Sequence, residues 1–314
     1  MGWIVIRIYY ACSWLLAKLG ARRSIKLGRA LGLFAFYCVP IRRRIVFENL
    51  ARAFPEKSEA ERRAIARDCY RQLGRIFAEV IFMPSLSADE TAKLVRLRNK
   101  DLIDGIFAQG KGIIWCMSHM GNWELIGFTG KRNGYVVNAI TKALKGVINQ
   151  QIHATRKGLF AELPARDSFE QGVEVLRKNQ ALALIIDQHR SGDKAVVVDF
   201  FGRPAATSPS PALFNLRSGA PVVTGWMTLG PDDVYDIWAR GPYEVPEAET
   251  LAERLQLHTQ WLASDLEQFI RKQPGDWYWV HRRWKIPDDT PVPMRDAILP
   301  AFPPMPKLGG EGGG

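Results

Sequence analysis

The strongest constraint on the fold is a series of apolar runs, each six or seven residues long, that alternate with helix-compatible stretches from about residue 110 onward. Gly112 to Met117 (G-I-I-W-C-M), Tyr135 to Ile140, Ala181 to Ile186 and Pro221 to Met227 all read as buried strands. Strands separated by helices imply an α/β fold: a central, largely parallel sheet flanked by helices. Tyr235 to Arg240 adds a further strand, and Glu247 to Lys272 reads as a long helix.

The chain before residue 110 has a different character. Trp3 to Leu19 is apolar apart from Arg7, Ser13 and Lys18, and a second uncharged run covers Ala30 to Ile41. Arginines and lysines border both runs: Arg22, Arg23, Lys26 and Arg29 between them, and Arg42-Arg43-Arg44 after the second. Apolar helices with basic borders suit the cytoplasmic face of a membrane. The first run would be roughly 25 Å long as a helix, against about 30 Å of hydrocarbon, so both spanning and lying in the interface stay open. From Ile45 to Met83 the pattern is helical, broken at Phe54-Pro55, with Ser58 as N-cap and Glu61 completing a capping box. Four units follow: a membrane-associated helical segment (1–44), a helical region (45–109), an α/β core (110–287) and a tail rich in Pro and Gly that is expected to be disordered (288–314).

The charge balance, 43 basic against 32 acidic residues for a net +11, favours an anionic partner. No helix-turn-helix, zinc-finger or RNP pattern accompanies it, so nucleic acid is not indicated. Cys12, Cys38, Cys69 and Cys116 are widely spaced and read as reduced thiols of a cytoplasm-facing protein.

The chemistry concentrates in Ser118-His119-Met120-Gly121-Asn122-Trp123-Glu124, directly after the first strand of the core. A histidine leaving the carboxyl end of a strand sits where open α/β sheets bind ligands. On one continuous helix Glu124 would point about 140° away from His119, so the two meet only if His119 lies in a turn and the helix starts near Asn122. In that geometry Glu124 fixes the imidazole tautomer and His119 takes a proton from a hydroxyl. On spacing alone, a buried histidine with a packing role is the commoner outcome. Asp187, at the end of another strand, is a candidate for orienting substrate or positioning Arg156, whose guanidinium suits phosphate. His281 with Arg282 and Arg283 is a second candidate phosphate site.

These residues also resemble a known family. H-M-G-N-W-E after an apolar strand resembles the H-x-x-x-x-D/E signature of glycerolipid-type acyltransferases. Ordered blocks over residues 1 to 287 are similar to the late acyltransferases of lipid A biosynthesis, the lauroyl and myristoyl transferases. Those blocks are Arg42-Arg43-Arg44 with Asn49-Leu50 and Phe54-Pro55, Asp187-Gln188, Phe200-Phe201-Gly202 with Pro204 to Thr207, Ala220 to Val223, and Trp277 to Lys285. The family often has a second acid where this chain has His189, and threonine and glycine where it has Ser208 to Pro211.

The resemblance implies an O-acyltransferase at the inner membrane, with its catalytic domain cytoplasmic. It further implies an acyl carrier protein as donor, a hydroxyl of a phosphorylated glycolipid as acceptor, and no metal or organic cofactor. His119 and Glu124 would be catalytic. Asn122, Arg156, Asp187, His281, Arg282 and Arg283 would bind substrate. Acylation of a lysophospholipid or a glycosylated phosphatidylinositol, and glycolipid binding without turnover, are the alternatives.

Overall fold

The computed structural model describes residues 2–302, except Pro40, residues 142–151, Ala154, residues 166–167, Val245 and Ile298. Four helices open the chain: α1 (Gly2–Leu19), α2 (Ala21–Cys38), α3 (Arg43–Ala53) and α4 (Glu59–Phe82). The capping box expected at Ser58 and Glu61 starts α4. There follow α5 (Ala88–Ala92), β1 (Val95–Leu97), α6 (Lys100–Phe107), β2 (Ile113–Met117), α7 (Leu125–Arg132), β3 (Val137–Thr141) and β4 (Ala161–Pro164). The chain continues with α8 (Phe169–Arg177), β5 (Ala181–Ile185), β6 (Val196–Phe200), β7 (Arg203–Thr207), α9 (Ser210–Ser218), β8 (Val222–Leu229), β9 (Tyr235–Tyr243) and α10 (Leu251–Lys272).

Seven strands form one sheet in the order β1-β9-β8-β2-β5-β3-β4. From β8 to β4 every pairing is parallel; β9 runs antiparallel to β8, and β1 pairs with it in parallel. The α/β expectation therefore holds, with the parallel strands at the centre. β2 is buried along its whole length, as strands covered on both faces must be. Sequence reading missed β1, β4 and the β6–β7 hairpin. The hairpin turns at Phe201 (φ 58°) and Gly202 (φ 72°), and among the described residues it forms a two-stranded sheet of its own. The helix expected from Glu247 begins at Leu251, because Thr250 and Glu253 form a capping box there.

The helices of the first half pack closely. A Cβ on Gly32 would stand 2.1 Å from the carbonyl oxygen of Tyr70, and one on Gly74 would stand 2.2 Å from that of Gly28, so α2 and α4 touch backbone to backbone. Their outer faces expose Trp3 and Trp14 on α1, Phe34 and Tyr37 on α2, and Phe77 on α4. Among the described residues no single helix is long and apolar enough to cross a membrane. At the other end of the chain, Leu299 and Phe302 pack against the core and Arg295 pairs with Asp199 at 2.9 Å. Residues 303–314, the rest of the stretch expected to be disordered, lie outside the described residues. All four cysteines are free.

Candidate active site

The register between β2 and β5 builds the centre of the site. Met117 lies beside Ile185 in the parallel pair, so the residues two positions beyond each strand end, His119 and Asp187, emerge side by side. The His119 Nδ1 is 2.7 Å from one Asp187 carboxylate oxygen, and the His119 backbone N–H donates to the other at 2.9 Å. The indole N–H of Trp277 donates to that second oxygen at 2.7 Å. Burial pushes the Asp187 carboxyl up, but the attraction of His119 and these hydrogen bonds outweigh it and hold the group below its ordinary range. An ionised Asp187 accepts the Nδ1 proton and leaves Nε2 as the basic nitrogen. The His119 side chain keeps 17% of its surface exposed, while Asp187 keeps 1%.

The loop that carries His119 is clamped from the C-terminal side. Tyr278 N–H donates to the His119 carbonyl at 3.1 Å, Gly121 N–H donates to the Asp276 carbonyl at 3.2 Å, and Met120 pairs with Trp277 in an antiparallel bridge. Gly121 adopts φ 60°, and a Cβ there would stand 2.9 Å from the Met227 side chain. Trp123 meets the imidazole edge to face and Tyr278 lies tilted against it, with ring centroids 4.8 and 5.7 Å away.

The hydrogen bond expected between His119 and Glu124 is not formed. Glu124 caps α7 and is engaged by Arg156 through two bonds, Nε at 2.8 Å and Nη2 at 2.6 Å. The Trp123 indole donates to the same carboxylate at 3.1 Å. The physical reason is that Asp187 already occupies Nδ1, while a guanidinium brought in from the segment before β4 offers Glu124 a bidentate partner. Arg156 also donates to Glu162 at 2.9 Å, and Glu162 accepts from His153 at 2.6 Å. Burial disfavours the charge on Arg156, but the two glutamates more than offset this and raise its pKa. Asp187 thus orients the His119 imidazole, and no bond joins it to Arg156, whose guanidinium is paired with Glu124 and Glu162.

The remaining expected binding residues are distributed differently. Asn122 is fully buried: its amide donates to Glu79 at 2.9 Å and its oxygen accepts from Glu124 N–H at 3.2 Å. Glu79 is itself buried with Arg75 (2.6 Å) and Tyr235 (3.1 Å), so the buried Asn122 ties the His119 turn to α4. Arg283 is also buried, donating to the Ala206 carbonyl at 2.8 Å and to Thr207 at 2.6 Å, whereas Arg282 is exposed. His281 accepts the backbone N–H of His189 at 3.2 Å. Sequence reasoning missed Trp277, Glu79 and Glu162 as supports. For the Asp187 contact the sequence holds two apolar runs that both end in polar residues, but the pairing that brings those ends together is seen only in the structure.

Two cavities meet at this site. A large apolar one of about 1100 Å³ lies between α1, α2 and α4, with Leu16, Leu31 and Ile81 in its walls, and reaches Trp123, Glu124 and Tyr278. A small one of about 60 Å³ lies between α7, β3 and β5, with Val137, Ala183 and Phe160 in its walls, and reaches Trp123, Glu124 and Arg156. An imidazole whose neighbour Trp123 lies in the walls of both apolar cavities suits transfer of an acyl group between two amphipathic molecules.

Comparison with known proteins agrees with this chemistry. Over 251 residues the chain is 26% identical to the phosphatidylinositol mannoside acyltransferase of Mycobacterium tuberculosis (strain ATCC 25618 / H37Rv), covering 76% of this chain and 75% of that protein. The Mycolicibacterium smegmatis protein of the same name is 25% identical over 246 residues, covering 75% and 77%. The lipid A biosynthesis lauroyltransferase of Escherichia coli K12 is 24% identical over 284 residues, covering 88% and 90%. Residues 2–286 match the model of the bacterial lipid A biosynthesis acyltransferase family, and the chain belongs to that family of acyltransferases.

Proposed function

We propose that the protein transfers a fatty acyl chain from the thioester of acyl carrier protein to a hydroxyl of a lipid A precursor, a phosphorylated glycolipid, at the cytoplasmic face of the inner membrane. The observation that carries the reading is the His119–Asp187 pair, whose imidazole packs against Trp123 and Tyr278, two residues in the wall of the large apolar cavity. Nε2 of His119 takes the acceptor hydroxyl proton as its oxygen attacks the thioester carbonyl. The tetrahedral oxyanion collapses, the C–S bond breaks, and the imidazolium returns its proton to the thiolate, leaving an ester and a free thiol. Arg156, the one cation in the wall of the small cavity among the described residues, is the candidate oxyanion stabiliser, with Glu124 acting through it as a positioning residue.

A second reading takes a glycosylated phosphatidylinositol as the acceptor, and the names of the mycobacterial relatives favour it. One experiment separates the two. Purified protein in detergent micelles is given acyl carrier thioester or coenzyme A thioester, with a lipid A precursor or a mannosylated phosphatidylinositol, and products are read by mass spectrometry. Transfer to the lipid A precursor from the carrier thioester is expected. Turnover with only the inositol lipid, or equal use of coenzyme A thioesters, overturns that assignment.

A further inference from the structure

Beside the catalytic histidine, on the side away from Glu124 and Arg156, lies a group of cationic and donor side chains that the mechanism above does not use. The segment from Asp276 to Lys285 crosses the carboxyl ends of β2, β5 and β7: it bonds to the His119 loop at Tyr278, to His189 at His281, and to Ala206 and Thr207 at Arg283. This brings His189, His281, Arg283 and Lys285 together. Arg190 anchors the same corner, its N–H bonded to the Ala206 carbonyl at 3.1 Å.

Four features of this corner are unusual for a merely structural cluster. Arg283 is 1% exposed, yet among the described residues its partners are a carbonyl, a hydroxyl and the Phe200 ring, with no carboxylate, and its Nε has no hydrogen-bond partner. A buried guanidinium without a counter-ion is costly, and the cost falls when an anion arrives. The buried Nδ1 of His189 likewise has no partner. His281 accepts the His189 N–H on Nε2, which leaves the proton of its neutral ring on Nδ1, for which the described residues offer no acceptor. Lys285 is exposed and pairs with no acid among the described residues. Of the charged groups that act on these side chains, Lys285, Arg283 and His119 are cationic or basic; the one acid, Asp187, is already bonded to His119 and Trp277.

We propose that His189, His281 and Lys285, backed by the buried Arg283, form a subsite for a phosphate group of the substrate next to His119. The proposal rests on the acyltransferase reading for its substrate and deepens it: the same corner serves a phosphate on the glycolipid acceptor or the phosphodiester of a carrier's prosthetic arm. Arg156 takes no part, being held by Glu124 and Glu162.

The test measures binding without turnover. Full-length protein with labelled histidines, in micelles of fixed composition, is titrated with inorganic phosphate against chloride at matched ionic strength. The imidazole resonances are assigned with His189→Gln and His281→Gln. Saturable shifts at His189 and His281 are expected with phosphate alone, and Lys285→Glu, an exposed change, should weaken the apparent affinity at least tenfold. The His119 resonance in that variant reports that the site remains folded. Resonances that ignore phosphate, or a titration unchanged by Lys285→Glu, would overturn the proposal. Competition then identifies the source: displacement by a phosphorylated glycolipid places the acceptor there, displacement by phosphopantetheine places the donor, and displacement by neither overturns the substrate role. Failure of acyl transfer in the assay above leaves this titration unaffected, so the two readings fall separately.

Discussion

His119 and Asp187 are 68 residues apart in sequence and 2.7 Å apart in the structure, because the two parallel strands that carry them end in register. That relationship makes the aspartate, and not Glu124, the group that sets the imidazole tautomer. Asp187→Asn removes the charge that stabilises the imidazolium and lets the amide present its N–H to Nδ1, which favours the wrong tautomer. The expected result is a fall in kcat by about a hundred- to ten-thousand-fold with the far-UV spectrum unchanged. Near wild-type turnover in a folded Asp187→Asn protein would remove this dyad from the mechanism.

Glu124 and Arg156 form a separate unit. Glu124→Gln breaks the bidentate pair and frees Arg156 to swing toward Glu162, while Arg156→Lys loses the fork geometry. Each single change should lower kcat by about ten- to a thousand-fold. Because each acts through the other, the double variant should be little worse than the worse single one. Strictly additive losses in a double-mutant cycle would show that Glu124 contacts a reacting group on its own.

The sequence makes the base legible and its surroundings much less so. An apolar strand that ends abruptly in Ser118-His119 can be read locally, since burial of β2 follows from its composition. The Asp187 contact depends on which strand lies beside β2, a long-range choice that no spacing encodes. Asn122 has the chemistry of an exposed cap, and only the approach of Glu79 from α4 turns it inward. Arg282 and Arg283 look equivalent as neighbours, but in an extended segment successive side chains point to opposite sides, so one meets solvent and the other is buried beneath Thr207.

Asp276 gives the protein a pH-dependent stability. Burial pushes its carboxyl up to about 6, partly countered by a hydrogen bond from Leu229 N–H and by Arg75 and Arg29. A carboxyl with a raised folded pKa contributes stability that is full below the ordinary carboxylate value and is lost as pH rises through about 6. The loss is at most about 3 kcal/mol. Thermal melts of wild type and Asp276→Asn between pH 4 and 7 test this. The variant should lose the component of the slope that lowers wild-type Tm as pH rises through this range, and identical slopes would contradict the assignment.

The exposed face of α1 and α2 predicts how the protein meets lipid. Trp3 is 61% exposed and Trp14 65% exposed, Phe34 and Tyr37 continue the face on α2, and Arg22, Arg23 and Lys26 border it. Aromatic side chains beside a basic rim should insert into the headgroup region of an anionic leaflet, with salt weakening the charge contribution only. Deleting the two helices is a poor test, because the backbone contact of Gly28 and Gly32 with α4 makes α2 part of the folded body. Trp14→Glu is the better one: it replaces a large apolar side chain by an anion at a site with few neighbours. Binding to phosphatidylglycerol vesicles should fall at least about tenfold, with melting temperature and micellar turnover preserved. Wild-type protein should sediment with those vesicles at low salt and only partly leave them at 1 M salt, since apolar insertion persists when charges are screened. Wild-type protein that stays in the supernatant at low salt, or vesicle binding unaffected by Trp14→Glu, would show that this apolar face serves something other than a membrane.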